Sequence, residues 1–130
     1  MDDNHTRSAT YRTTRAADGS TVLTLHGELD LLAVPALSAA LDALTAVPRP
    51  DVVVDLRPVS FVDCSGLGVL CRAYNRTRAR KGRLRLVTRG SAFRRLLRCT
   101  GLTGVFDLYS DLTDVLADGR PAARAVAAPR

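Results

Sequence analysis

The sequence predicts a single α/β domain with a mostly parallel central β-sheet, about four covering helices and an N-terminal β-hairpin. Three observations predict it: a hairpin turn signal near the start, strands alternating with helices afterwards, and one strand-like run, "DVVVDL", that is apolar and β-branched almost throughout. Alternating strands and helices build parallel sheets through right-handed crossovers. With 130 residues, the chain can bury roughly two-thirds of its unfolded surface.

The first half begins with two strand-like runs on either side of Asp18 and Gly19, a pair typical of hairpin turns. A first helix begins near Pro35, because proline is favoured in the first helical turn. Its apolar residues recur at helical spacing and are Val34, Leu37, Leu41 and Leu44. The buried strand "DVVVDL" comes next, and we expect it to lead directly into the second helix.

The second half continues the alternation of helices and strands. The second helix runs from Ser65 to near Gly82, with apolar residues on one face. The third helix has Ser91 as its predicted N-cap and ends at Gly101. The remaining elements, in chain order, are a strand "RLRLVT" before the third helix, then a strand "VFDLY" and a short helix "DLTDVL" after it.

The domain is expected to occupy residues 9–117, with residues 1–8 and 118–130 as flexible ends without usable periodicity. No apolar run approaches the roughly 20 residues of a membrane span, and the start lacks a secretory signal, so we expect a cytoplasmic protein. Three irregularly spaced cysteines and two histidines offer neither a disulfide framework nor a metal site. No cofactor is expected.

Basic residues outnumber acidic ones, and the net charge is +6. Such a balance raises nucleic acid as a partner to be tested. The arginines of residues 72–85 and 94–98 lack interleaved aromatic residues, and no nucleic-acid-binding motif accompanies them. We therefore expect these arginines to form solvated helix and strand faces, and we expect no direct nucleic-acid partner.

The stretch "FVDCSGLGVL", residues 61–70, places polar and reactive residues between apolar ones, but it fits no enzyme motif. Gly66 and Gly68 supply only half of a dinucleotide-binding G-x-G-x-x-G, because Cys71 stands in place of the third glycine. A phosphatase-like thiolate loop would need arginine where Leu70 stands, so Cys64 is better interpreted as a small buried residue. The stretch instead predicts a binding site at the carboxyl end of a parallel strand.

Four stretches together resemble the anti-sigma factor antagonist family, the bacterial members of the STAS domain class. They are "GELD" at 27–30, "VVVDL" at 52–56, "SFVDCSGLGVL" at 60–70 and "RLLRCTGLTGVFDLY" at 95–109. The resemblance implies a STAS-like fold without enzyme activity, which binds an anti-sigma factor with serine kinase activity and so releases a sigma factor. It further implies that phosphorylation breaks this complex and that a serine phosphatase resets the switch.

The resemblance also implies functional residues. The family's phosphoacceptor directly precedes Gly-Leu-Gly, which makes Ser65 the implied phosphorylation site. The implied partner surface comprises Asp30, Ser60, Asp63, Cys64, Ser65, Gly66, Leu67, Gly68 and Arg72. Cys64 departs from the family pattern, which has a hydroxyl residue at this position, so a second acceptor beside Ser65 is missing.

Simpler structural roles are open for the same residues. Ser65 and Asp63 are both suited to cap the second helix, and Asp30 is suited to precede the first. Two other functions are open as well. One is a STAS scaffold that binds a regulatory protein or a small ligand without being phosphorylated, and the other is a nucleic-acid-binding protein that uses the arginine-rich helices.

Overall fold

The computed structural model describes residues 9–117, and the expected flexible ends at 1–8 and 118–130 lie outside the described residues. Its strands are β1 (Ala9–Arg15), β2 (Thr21–Leu29), β3 (Asp51–Asp55), β4 (Val59–Val62), β5 (Arg83–Val87) and β6 (Asp107–Tyr109). Its helices are α1 (Val34–Leu44), α2 (Cys64–Ala79), α3 (Ala92–Cys99) and α4 (Leu112–Ala117), with a 3-10 helix at Leu31–Ala33 before α1.

The strands form one sheet in the order β1-β2-β3-β5-β6. Only β1 is antiparallel to its neighbour, since the two strands of the N-terminal hairpin run in opposite directions. The predicted turn is confirmed: Gly19 has a φ of 93°, and the Asp18 carboxylate accepts a 2.9 Å hydrogen bond from the Ser20 amide. The predicted fold class is therefore confirmed.

Strand β4 is the main difference from the sequence prediction, because it separates β3 from α2. Residues 21–24 of β2 pair with β3, and residues 27–29 pair with β4 instead. Strand β2 continues past the end of β3, so its last residues need another strand for their backbone groups. A turn at residues 56–59, closed by a 3.0 Å bond from the Val59 amide to the Leu56 carbonyl, brings β4 into that place.

The main core lies between the sheet and helices α1, α2 and α3, and a smaller apolar cluster lies under α4 on the opposite face. Strand β3 is buried on both faces, as predicted for a central parallel strand. The residues expected to be buried are Val52, Val53, Val54, Leu67 and Leu70, and each is at most 3% exposed. Helix α2 therefore packs on the sheet with the predicted face.

The ends of α3 match the prediction only in part. Gly101 follows the helix with a φ of 78°, the left-handed conformation that favours glycine. Ser91 occupies the N-cap position, but its side chain makes no capping hydrogen bond. Its hydroxyl instead accepts a 3.4 Å hydrogen bond from the guanidinium of Arg95, one turn later.

The arginines are not all solvated, and the prediction is wrong for Arg85. This side chain is 1% exposed and donates to the Asp51 carboxylate at 3.0 Å and to the Val115 carbonyl at 2.7 Å. It therefore attaches α4 to the sheet. Arg76 of α2 and Arg80, the residue that follows α2, both donate to Thr45 at the end of α1, each at 2.8 Å.

Asp55 ends β3 and fixes the turn that leads to β4. Its carboxylate is buried and accepts the Arg57 amide at 3.0 Å and two guanidinium bonds from Arg57 at 2.9 and 2.8 Å. Burial acts to raise the pKa of Asp55, but the hydrogen bonds and the positive charge of Arg57 outweigh it and leave the pKa below its ordinary value.

We expect Asp55→Asn to lower the free energy of unfolding at pH 7 by about 1–3 kcal/mol, because the variant cannot form the charge-assisted bonds to Arg57. A carboxyl group with a lowered pKa stabilises the fold above its unfolded pKa and loses this effect as the pH falls through the folded value. The difference between wild type and variant should therefore shrink below pH about 4. Urea unfolding from pH 7 to pH 2.5 measures it.

Asp42→Asn is the matched control, because Asp42 also has a lowered pKa but pairs with an exposed arginine, Arg72. Exposed ion pairs contribute about 0–1 kcal/mol, so this variant should lose less stability. An Asp55→Asn variant as stable as wild type at pH 7 would contradict the structural role given to Asp55.

Candidate functional site

Two aspartates follow directly from two neighbouring parallel strands at the same end of the sheet. Leu29, the last residue of β2, pairs with Val62, the last residue of β4. Asp30 and Asp63 are the next residues of their strands, and the Asp63 amide donates to the Leu29 carbonyl at 3.2 Å. The pairing of β2 with β4 therefore brings together two predicted site residues that lie 33 positions apart in the sequence.

Each of these aspartates caps a helix. The Asp63 side chain accepts hydrogen bonds from the amides of Ser65 at 2.8 Å and Gly66 at 3.1 Å, and so caps α2. Asp30 accepts the Leu32 amide at 3.1 Å and caps the 3-10 helix. The capping role that was open for Asp63 is therefore its role in the structure, and the carboxylates of both aspartates are held at fixed positions.

Ser65 lies in the first turn of α2 and is partly exposed. Because Asp63 supplies the cap, Ser65 is not the capping residue, and its hydroxyl makes no hydrogen bond within the described residues 9–117. A hydroxyl without an intramolecular partner can approach an incoming reagent without first breaking a bond. The capping role that was open for Ser65 therefore belongs to Asp63 in the structure.

Cys64 is exposed, so the prediction of a small buried residue is wrong. It is the first residue of α2 and directly follows the Asp63 cap, whereas the buried residues of the helix begin at Gly66. Gly68 and Arg72 follow on the same exposed side of the helix at intervals of four residues. Ser60 is also exposed, and its hydroxyl donates to the Gly27 carbonyl of β2 at 3.2 Å.

Gly66 and Leu67 lie beneath this surface rather than on it. Leu67 is 3% exposed and belongs to the main core. Gly66 is buried against the end of β2, where a Cβ atom would overlap the backbone oxygen and side chain of Leu29. These two members of the predicted partner surface therefore hold α2 against the sheet and position their neighbours.

Arg72 forms a two-bond ion pair with Asp42 of α1, at 3.0 and 3.1 Å. The side-chain hydrogen bond between them lowers the pKa of Asp42 and raises the pKa of Arg72. A partner that binds Arg72 would have to share it with Asp42 or displace it. Arg72 therefore lies on the same side of α2 as Cys64 and Gly68, but its guanidinium is already paired with Asp42 of α1.

Sequence reasoning missed the apolar part of this region. Leu31 and Leu32 follow Asp30 in the 3-10 helix and are 70% and 72% exposed. Phe61 of β4 is 51% exposed. A signal was present, since the two leucines fall outside the helical spacing of the first helix that begins at Val34. Large apolar side chains exposed beside a polar site are typical of protein-binding surfaces.

The sequence and fold match those of known proteins. The family described as "Mlab, STAS domain" matches residues 13–114. The chain belongs to the STAS domain family. The anti-sigma-F factor antagonist RsfB of Mycobacterium tuberculosis is 34% identical over 103 residues, which cover 79% of this chain and 84% of RsfB. The anti-sigma-B factor antagonist of Bacillus subtilis is 31% identical over 84 residues, covering 65% of this chain and 76% of that protein.

A solved structure shows the same arrangement of elements as this STAS domain. The crystal structure of an anti-sigma factor antagonist from Mycobacterium paratuberculosis has a TM-score of 0.76 and 34% identity, covering 87% of this chain and 95% of its own. The resemblance found in the sequence is therefore confirmed. The comparisons support the family and the fold, and the individual site residues stay predictions.

Three further observations on this STAS domain concern metal ligands, membrane spans and thiols. Within residues 9–117, no group of three or more His, Cys, Asp or Glu side chains is placed to hold a metal ion. None of the helices described there is long and apolar enough to cross a membrane. The three cysteines are all free thiols.

We expect Gly66→Ala to destabilise the domain by about 1–3 kcal/mol, because the added methyl group would force α2 away from Leu29. Gly68→Ala is the matched control in the same helix, since a Cβ atom at Gly68 meets nothing within 4 Å. Alanine is a better helix former than glycine, so this control should be neutral or stabilising. Thermal unfolding of both variants measures the difference, and equal stabilities would contradict the close contact at Gly66.

Proposed function

We propose that this chain is an anti-sigma factor antagonist that binds an anti-sigma factor, releases a sigma factor, and is switched off by phosphorylation of Ser65. The observation that supports the switch is the partly exposed Ser65 hydroxyl, which has no hydrogen bond within residues 9–117 and lies beside the Asp63 cap. The 34% identity to an anti-sigma-F factor antagonist supports the choice of partner.

The proposed partners are those that the resemblance to the anti-sigma factor antagonist family implies. The anti-sigma factor is a serine kinase that transfers phosphate from ATP to Ser65, and a serine phosphatase removes it again. The chain itself is not an enzyme in this scheme; it is the substrate of both. The exchange takes place in the cytoplasm, where ATP is available to the kinase.

The position of Ser65 allows phosphate to break binding without unfolding the domain. A phosphate group adds about 1.5–2 negative charges. The amides of Ser65 and Gly66 already donate to Asp63, so the phosphate finds the nearest backbone donors occupied and a carboxylate beside it. The helix dipole still favours a negative group at this end. Since Ser65 is not part of the core, the main effect is a new charge on the surface.

The same surface supplies the attractive part of the interaction. Leu31 and Leu32 project from the 3-10 helix that Asp30 caps, next to the strand end from which α2 begins. Burying such side chains against a partner gives affinity, while the adjacent aspartates make that affinity sensitive to added negative charge. Each 1.4 kcal/mol of lost interaction weakens binding about tenfold, so modest repulsion is enough to release the partner.

We expect three outcomes for Ser65. Ser65→Ala should keep its stability within about 0.5 kcal/mol, since its hydroxyl is not a cap, and should bind the anti-sigma factor like wild type. Ser65→Asp should fold but bind at least about tenfold more weakly, because it places a permanent charge beside Asp63. The cognate kinase with ATP should add one phosphate to wild type and none to Ser65→Ala. Calorimetry and intact mass measure these outcomes.

Ser60→Ala is the control for the site of phosphorylation, because Ser60 is a nearby exposed hydroxyl residue. It should still accept one phosphate. If the phosphate were found on Ser60, or if Ser65→Asp bound as tightly as wild type, Ser65 would not be the switch. The interpretation as a non-phosphorylated scaffold for a regulatory protein or small ligand would then replace the proposal.

We expect the double variant Leu31→Ala with Leu32→Ala to bind the anti-sigma factor at least about tenfold more weakly, because central apolar side chains dominate most protein interfaces. Its stability should change little, since both side chains are exposed. Val47→Ala is the matched control, because Val47 is 52% exposed but follows the C-terminal end of α1. Equal binding by the double variant and the control in calorimetry would remove the leucines from the interface.

A further inference from the structure

A groove of about 370 Å³ lies between β4 and α3, beyond the carboxyl ends of β3 and β5. Its volume falls in the range of about 300–1,000 Å³ that is typical of small-molecule sites. The floor is apolar and is formed by Leu56, Val59, Val62, Phe93 and Leu96. The wall on the side of α3 carries a free thiol, Cys99.

Three arginines surround the apolar floor: Arg57, Arg89 and Arg95. The hydroxyl residues Ser60 and Thr88 also line the groove, and none of the described residues that line it is an aspartate or a glutamate. A groove with an apolar floor and only cationic charges in its lining is complementary to a ligand with an apolar body and an anionic end.

Two of the arginines are held from outside the groove. Arg57 is bound by the buried carboxylate of Asp55 and also donates to Asp111 at 3.3 Å. Arg89 donates to the Asp111 carboxylate at 3.0 Å and to the Ser110 carbonyl at 3.1 Å. These contacts fix both guanidinium groups at the rim, so little side-chain freedom remains to be lost when a ligand binds.

Arg95 differs from these two because it has no carboxylate partner within residues 9–117. The contact described for its guanidinium is the 3.4 Å hydrogen bond to the Ser91 hydroxyl. The side chain is exposed at the edge of the groove. Arg95 therefore carries a positive charge that no acidic side chain of the described domain offsets, next to the apolar floor.

We propose that this groove binds a small amphipathic carboxylate, with its apolar chain on the floor and its carboxylate at Arg95. A guanidinium group can bind a carboxylate through two parallel hydrogen bonds, which fits a single anionic end group. Ser60 and Phe61 belong both to the region around Ser65 and to the lining of the groove, but Ser65 itself does not line it. The inference therefore stands independently of phosphorylation at Ser65.

The two exposed thiols provide a position-specific test of this proposal, because Cys99 lines the groove and Cys64 does not. With octanoate as the probe, alkylation of Cys99 by iodoacetamide should slow at least fivefold, while alkylation of Cys64 should change less than twofold. Peptide mass spectrometry measures both rates in the same sample. Octan-1-ol, which has the same chain without the charge, should protect Cys99 much less.

Variants on α3 test the role assigned to the charge. Arg95→Gln should weaken octanoate binding at least fivefold in an NMR titration. Arg94→Gln should change it less than twofold, because Arg94 is also exposed on α3 but lines a different depression, on the other side of the helix. Arg95 and Arg94 are both surface residues, so both variants should fold.

Several results would overturn the proposal. Octan-1-ol could protect Cys99 as well as octanoate does, which would leave no role for the carboxylate. Arg94→Gln could weaken binding as much as Arg95→Gln, which would indicate unspecific attraction to a basic helix. A glutamate-rich peptide could protect Cys99 where octanoate does not, and the groove would then be a site for an acidic protein segment.

Discussion

The pairing of the last residues of β2 with β4 is the interaction on which the rest of the site depends. Strand β2 extends past the end of β3, and its last residues pair with β4 instead. This pairing places Leu29 beside Val62. This pairing places Asp30 and Asp63 at the same edge of the sheet and starts α2 next to the 3-10 helix. Without β4, the segments that contain Asp30 and Asp63 would not lie next to each other.

The close contact at Gly66 strengthens this arrangement because it lets α2 begin against the backbone of Leu29. The helix start is therefore held by three links of different kinds: the strand pairing, the Asp63 cap and the missing side chain at Gly66. Rigid support of this kind suits the proposed switch at Ser65, since a functional site depends on neighbours that hold it in place.

The aspartates on the two sides of β4 bind different groups: backbone amides on one side and arginine side chains on the other. At the start of α2, Asp30 and Asp63 use their carboxylates to cap helices and keep their negative charge near the surface. On the other side, Asp55 and Asp111 hold Arg57 and Arg89 at the rim of the groove. The same end of the sheet therefore carries both the proposed phosphorylation switch and the groove proposed to bind a carboxylate.

The sequence by itself determined the order of the elements apart from β4 and the 3-10 helix, the buried strand at 52–54 and the start of α2 beside Ser65. These features depend on neighbouring residues, through apolar periodicity and local turn chemistry, and both can be seen in a single sequence. Only the tertiary structure decided the partner of β4, the burial of Arg85, the exposure of Cys64 and the groove beside α3. Each of these depends on contacts between distant segments, and a one-dimensional pattern does not specify which segment covers which.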